Sequence, residues 1–136
     1  MSISEFSILT GGFLSLAMVI FHLKFYKLFD WKADFQKVQK RNHYIFYTIH
    51  LALFLLFIIF SIISFVYYKE LASCTGLAFG ITILYSLFWL WRAVWQIYYF
   101  KFPEGSSMPI LHYILTLVFL LLFLSYLVPI ILKLKI

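Results

Sequence analysis

Four apolar runs take up most of this chain: Phe6 to Phe25, Tyr44 to Tyr68, Leu71 to Phe100 and Pro109 to Leu132. Each reaches the roughly 20 residues that a helix needs to cross about 30 Å of hydrocarbon at about 1.5 Å per residue. A strand of a closed membrane barrel would instead alternate over about 10 residues, and none of these runs does so. The expected fold class is therefore all-α. We expect a polytopic membrane protein, one transmembrane domain over residues 1–136, built as an antiparallel bundle of four transmembrane helices. Their expected bounds are about 4–25, 43–68, 71–100 and 109–133, with a basic amphipathic interfacial segment over 26–42. Composition agrees: 65% of the residues are hydrophobic and 12% charged, against about 45–50% and about 25% in a soluble domain. The first run carries Glu5 rather than a basic leader and is followed by a long basic segment, so it reads as a mature helix and not as a cleaved signal.

The basic residues predict which way the helices cross. Lys24, Lys27, Lys32, Lys37, Lys40 and Arg41 lie between the first two runs, and Arg92 and Lys101 lie toward the third connection. Only Lys69, Lys133 and Lys135 are left for the other side. The positive-inside tendency then places the first and third connections in the cytoplasm and both termini outside. The net charge of +6 reads as topology plus attraction of anionic lipid headgroups to Lys24–Arg41, and not as a nucleic-acid surface.

Within the third run stands Trp91-Arg92-Ala93-Val94-Trp95-Gln96, a full charge and an amide inside a span. An arginine costs roughly 2.5–3.5 kcal/mol at the centre of a transmembrane helix and less toward its ends, so it faces a protein interior or reaches to the interface. The other runs bring polar residues on single stripes at helical spacing. In the first, Ser4, Ser7, Gly11 and Ser15 share a face that continues to His22. In the second, His43, Tyr47, His50, Phe54, Phe57, Ser61 and Ser64 form one stripe. In the fourth, His112, Thr116, Phe119, Phe123 and Tyr126 do the same. Counted from the lysine-bearing ends, His22, Gln96 and His112 fall about one turn in, His50 and Arg92 about two, and His43 caps the entrance. The short link Tyr67-Tyr68-Lys69-Glu70 implies that the second and third helices form a tight antiparallel pair. Ala72, Gly76 and Gly80 open the third as a small-residue face expected to pack within the chain, so that Gly80→Leu would overpack it. From Lys24 to Asn42 the pattern stays helical, with no Gly or Pro to break it.

No Asp or Glu accompanies the polar stripes inside the runs, which removes a carboxylate dyad and a carboxylate-based proton path from consideration. The single cysteine, Cys74, excludes an intrachain disulfide and a thiolate zinc site. The nearest carboxylates to Arg92 are Asp30 and Asp34. If neither reaches it, its partner is a lipid phosphate, a backbone carbonyl or an anionic ligand.

The stretch Phe21-His22 with Lys27-Leu28-Phe29-Asp30-Trp31-Lys32, together with Phe88-Trp89, Arg92-Ala93 and Gln96, resembles small four-helix bacterial membrane proteins of unassigned function. The resemblance covers most of the first three helices, implies a bacterial inner membrane, and brings no catalytic residues. In architecture the chain is also similar to the trimeric glutathione-dependent membrane enzymes, but their paired polar positions are absent here.

The leading expectation is a non-catalytic membrane component, an accessory subunit or a self-associating bundle. Its ligand-binding residues would be Arg92, Gln96, His22, His50, His112 and His43, holding a lipid or small anionic ligand, with no metal site. Two alternatives stand beside it. One is a redox anchor that binds haem b or a quinone through His22, His112, His50 and Arg92, with His22 and His112 as the haem ligands and Arg92 meeting a propionate or a quinone oxygen. The other is a transporter or channel formed by oligomerisation.

Overall fold

The structure, a computed structural model, describes residues 1–100 and 109–135. The third connection, read above as an ordinary turn, lies outside the described residues. Among these the chain is all helical: α1 Ile3–Leu23, α2 Phe25–Leu28, α3 Trp31–Gln36, α4 Lys40–Val66, α5 Tyr68–Ser73, α6 Gly76–Tyr98 and α7 Pro109–Leu134. Four of them, α1, α4, α6 and α7, are long and apolar enough to cross a membrane.

Local chemistry sets the ends of α1. The Ser2 side chain accepts a hydrogen bond from the Glu5 backbone N–H at 3.1 Å, and the Glu5 carboxylate accepts one from the Ser2 N–H at 2.8 Å. This reciprocal capping box satisfies two otherwise orphaned donors. Beyond Leu23 the helix does not run on as its pattern predicts. It gives way to two short helices joined at Asp30, which adopts the left-handed conformation with φ 45°. Asp is among the few L-residues that tolerate that region without help from glycine. Phe25 stacks on His22 three residues before it, and beyond the turn at Asp30 Trp31 and Phe35 lie against histidine rings of α4.

The third run breaks as well. Helix α5 ends at Cys74 (φ 48°), and α6 starts from Thr75 with Gly76 at φ 51°. These two consecutive left-handed turns around Thr75 explain why the run from Leu71 is not one helix. Helix α7, by contrast, stays helical through the buried Pro129.

Packing order differs from chain order. Helix α1 lies against both α4 and α7, α6 lies against α7, and the backbones of α4 and α6 scarcely approach each other. The tight pairing of second and third spans is thus not found. Short α5 sits between α1 and α6, and α4 meets α6 through large rings: Phe60 stacks on Tyr85 at 3.8 Å and Phe57 on Trp89 at 5.3 Å. The small-residue contacts also lie elsewhere than expected. A Cβ on Gly11 would meet Tyr126 Cζ at 2.7 Å, and one on Gly12 would meet Ser64 Cβ at 3.0 Å, whereas nothing lies within 4 Å of Gly76 or Gly80. Close approach therefore occurs where α1 crosses α4 and α7; of the expected small-residue face only Ala72 packs against the core, and Gly76 and Gly80 are uncovered.

Candidate functional site

The stripes read from the sequence mostly point inward. Ser7, Gly11, Ser15 and His22 of α1 are buried, as are Phe57, Ser61 and Ser64 of α4 and Phe119 and Tyr126 of α7. Nitrogen-bearing members gather toward the end where α1 leads into the lysine-rich α2–α3 segment. The serines of α1 and α4, with Tyr126, gather toward the other end.

At the lysine-rich end, His22 is held from several sides. Its Nδ1 lies 2.9 Å from the Met18 carbonyl oxygen, one turn back on α1. A carbonyl oxygen can only accept, so Nδ1 carries the proton, and a neutral His22 presents its lone pair at Nε2. The ring stacks on Phe25 at 4.3 Å and on His50 at 5.3 Å, and Phe57 meets it edge-on at 4.8 Å. Trp31, carried in by the turn at Asp30, stands edge-on to His50 at 4.9 Å.

Arg92 reaches the same region from α6. Its guanidinium carbon lies 4.5 Å from the centre of the Phe119 ring, a cation–π contact that neutralises nothing. Nη1 is buried and has no hydrogen-bond partner, and among the described residues no ion pair joins Arg92 to a carboxylate. Beside it lies a cavity of about 360 Å³, lined by His22, Arg92 and Asp34 and walled otherwise mainly by aromatic rings, Trp31 and Trp91 among them. A second cavity of about 410 Å³ lies on the other side of His22 and Trp31, lined also by His50, Tyr26 and Tyr47.

The remaining expected site residues fall in two other places. Gln96 is fully buried, with Nε2 3.1 Å from His112 Nδ1, so α6 and α7 are joined there side chain to side chain. Gln96 Oε1 is left without a partner. His43 stacks on Phe35 at 4.3 Å and packs against Tyr47, lining neither cavity. Of the six residues, the structure brings His22, His50 and Arg92 around two adjoining cavities, joins Gln96 to His112, and sets His43 apart. His112 lines neither of the cavities that His22 lines, so the haem pair inferred from matched depth does not share either of them.

Two parts of this end were not singled out from sequence as cavity lining. Asp34 lines the Arg92 cavity because the turn at Asp30 redirects α3, and the pattern gave no sign of that turn. The packing of Trp31 on His50 depends on the same turn. Among the described residues no group of three or more His, Cys, Asp or Glu side chains could hold a metal ion.

The opposite end is built from hydroxyls. Ser64 Oγ and Tyr126 Oη share a hydrogen bond of 2.7 Å, Ser61 Oγ donates to the Gly12 carbonyl at 3.1 Å, and Ser7 Oγ donates to the Ser125 carbonyl. These bonds tie α1, α4 and α7 together where Gly11 and Gly12 let the backbones close in.

Comparison with known proteins adds nothing to this geometry: no family model, no curated protein and no solved structure matches the chain. The site must therefore be read from its own residues.

Proposed function

We propose that this protein is an integral membrane component, an antiparallel bundle of four transmembrane helices with a ligand cavity at its cytoplasmic end. The cavity holds the anionic head of a lipid or similar small amphiphile, and the protein performs no catalysis of its own. The observation that carries the reading is the Arg92 guanidinium: it lies beside a cavity of about 360 Å³, with Nη1 buried and unpartnered. A guanidinium that no carboxylate answers costs about 1–3 kcal/mol or more, and an oxyanion in the cavity, meeting the part of Arg92 that lines it rather than the fully covered Nη1, would reduce that cost. Apolar walls with a few convergent polar groups are the usual make-up of a small-molecule site. Exposed Lys24, Lys27, Lys32 and Lys37 on the adjoining segment would hold it against an anionic leaflet, each worth about 1 kcal/mol near the surface.

The test is ligand-linked stability. Detergent-solubilised protein should melt several degrees higher on addition of diacyl phospholipid, because a ligand that binds only the folded state adds stability by mass action. Arg92→Leu should insert and fold normally yet lose that rise. An equal rise in the variant would reduce Arg92 to an interface anchor and end the proposal. The redox alternative is checked in the same preparation: added haem should give no Soret band that depends on His22 or His112. Self-association would use the uncovered Gly80 face, and an unchanged mass for Gly80→Leu would dismiss that route.

A further inference from the structure

The cavity beside Arg92 carries both signs of charge. Arg92 and Asp34 line it together, yet no ion pair joins them, and Arg92 Nη1 remains without a partner. Two opposite charges that share a cavity without meeting leave room for a molecule that answers each of them. We propose that the head bound here is a zwitterion of the phosphoethanolamine class, carried on a diacyl lipid, with its phosphate on Arg92 and its primary ammonium toward Asp34. This inference rests on the reading of the cavity as an amphiphile site and narrows it to one class of head.

Three features favour that head over a simple anion. A phosphodiester with no amine brings no positive charge, and would place an oxyanion near the Asp34 carboxylate with nothing to offset the repulsion. His22 adds a second acceptor: its Nδ1 proton is committed to the Met18 carbonyl, so Nε2 has a lone pair for an N–H donor. The walls include Phe29, Trp31 and Trp91, and aromatic faces attract an ammonium through their quadrupoles. The two acceptors also discriminate between amines. A primary ammonium donates hydrogen bonds to both, whereas a quaternary one can use only the rings. The source is assigned to a lipid because the walls are largely apolar and the flanking helices α1, α4, α6 and α7 are long enough to span a bilayer.

Binding is read as the dependence of melting temperature on added lipid, comparing phosphatidylethanolamine, phosphatidylcholine and phosphatidylglycerol with identical chains on the full-length protein in detergent. Phosphatidylethanolamine should bind about tenfold tighter than the other two, the scale of one charge-assisted hydrogen bond. Asp34→Asn should erase that preference from both sides, weakening phosphatidylethanolamine and relieving the repulsion of phosphatidylglycerol; Asp34 is exposed on a short helix, so the variant should fold. Arg92→Gln should weaken all three lipids. Soluble O-phosphoethanolamine should give no shift at the same concentrations, and a shift as large as the lipid's would overturn the assignment to a lipid. Equal or tighter binding of phosphatidylglycerol by the wild type, or a preference that survives Asp34→Asn, would overturn the zwitterion while the Arg92 dependence still upheld an amphiphile site. Absence of any lipid shift in the wild type would overturn both.

Discussion

The two ends of the helix assembly solve the problem of buried polarity in opposite ways. At the hydroxyl end three bonds draw helices together, Ser64 with Tyr126, Ser61 with the Gly12 carbonyl and Ser7 with the Ser125 carbonyl, and the buried hydroxyls of Ser15 and Tyr85 that make none are uncharged. At the lysine-rich end the polar groups are large and nitrogen-bearing, and they are only partly paired. His22 has the Met18 carbonyl and Gln96 has His112, while Arg92 Nη1 and Gln96 Oε1 have no partner. Rings fill the space between helices there and leave two cavities. Close backbone approach with satisfied hydroxyls is how helices hold together in lipid, where no hydrophobic force separates one apolar face from another. Unsatisfied charge beside a cavity does not add to stability. One end thus reads as the clamp and the other as the site, and the difference can be broken experimentally.

The largest effect should come from the clamp. Gly11→Leu forces a side chain into the Tyr126 ring, where even a Cβ would sit 2.7 Å from Cζ. We expect a loss of about 1–3 kcal/mol, seen as a lower melting temperature in detergent. Gly80→Leu, with nothing within 4 Å of the glycine, should cost no stability and could raise it through helix propensity by up to about 1 kcal/mol. If the two variants melt alike, the clamp is not where the structure places it.

Arg92→Leu comes next and has the opposite sign. Removing a half-buried charge that meets the Phe119 ring but no carboxylate should raise the stability of the unliganded protein by about 1 kcal/mol, while the gain from added lipid disappears. A fall in unliganded stability would mean that Arg92 is held by a structural partner, and the contrast between the two ends would fade. Smaller again is the Ser64–Tyr126 bond. A double-mutant cycle with Ser64→Ala and Tyr126→Phe should give a coupling of about 0.6 kcal/mol, the average for such bonds between membrane helices. A coupling indistinguishable from zero would leave the glycine contacts as the whole of the clamp.

Helical periodicity showed which residues face inward. Ser7, Gly11, Ser15 and His22, and likewise Phe57, Ser61 and Ser64, are buried as their spacing predicts, because a stripe at 3.6 residues per turn needs no knowledge of neighbours. Neighbours themselves were not legible. Leu toward lipid and Leu toward another helix are the same residue, so nothing in the runs says that α1 lies against both α4 and α7 while α4 and α6 stay apart. Matched depth put His22 level with His112, but depth is one coordinate; in the structure His22 stacks on His50 instead. The Gly76–Gly80 spacing marked a small face and could not say whether anything covers it. The Trp31 and Asp34 wall of the candidate site hinges on Asp30, a residue whose type permits a left-handed turn without announcing one.

That turn carries the smallest and most local prediction. Asp30 has φ 45° and makes no side-chain cap, so its conformation is imposed by packing on either side of it. Asp30→Gly relieves the left-handed strain but gives the unfolded chain more freedom, by about 0.5–1 kcal/mol, so the net change in stability should be a few tenths of a kcal/mol. Asp30→Ala keeps the strain and loses even the modest tolerance of Asp for this region, so it should be the less stable of the two. Their effect on the cavity separates them further. Trp31 and Asp34 line it only because the chain turns at residue 30. Glycine should therefore preserve lipid-linked stabilisation, and alanine, by favouring a straight helix through the junction, should reduce it. Were both variants to bind lipid like the wild type, α3 would not be part of the site, and the cavity would belong to α1, α4, α6 and α7 alone.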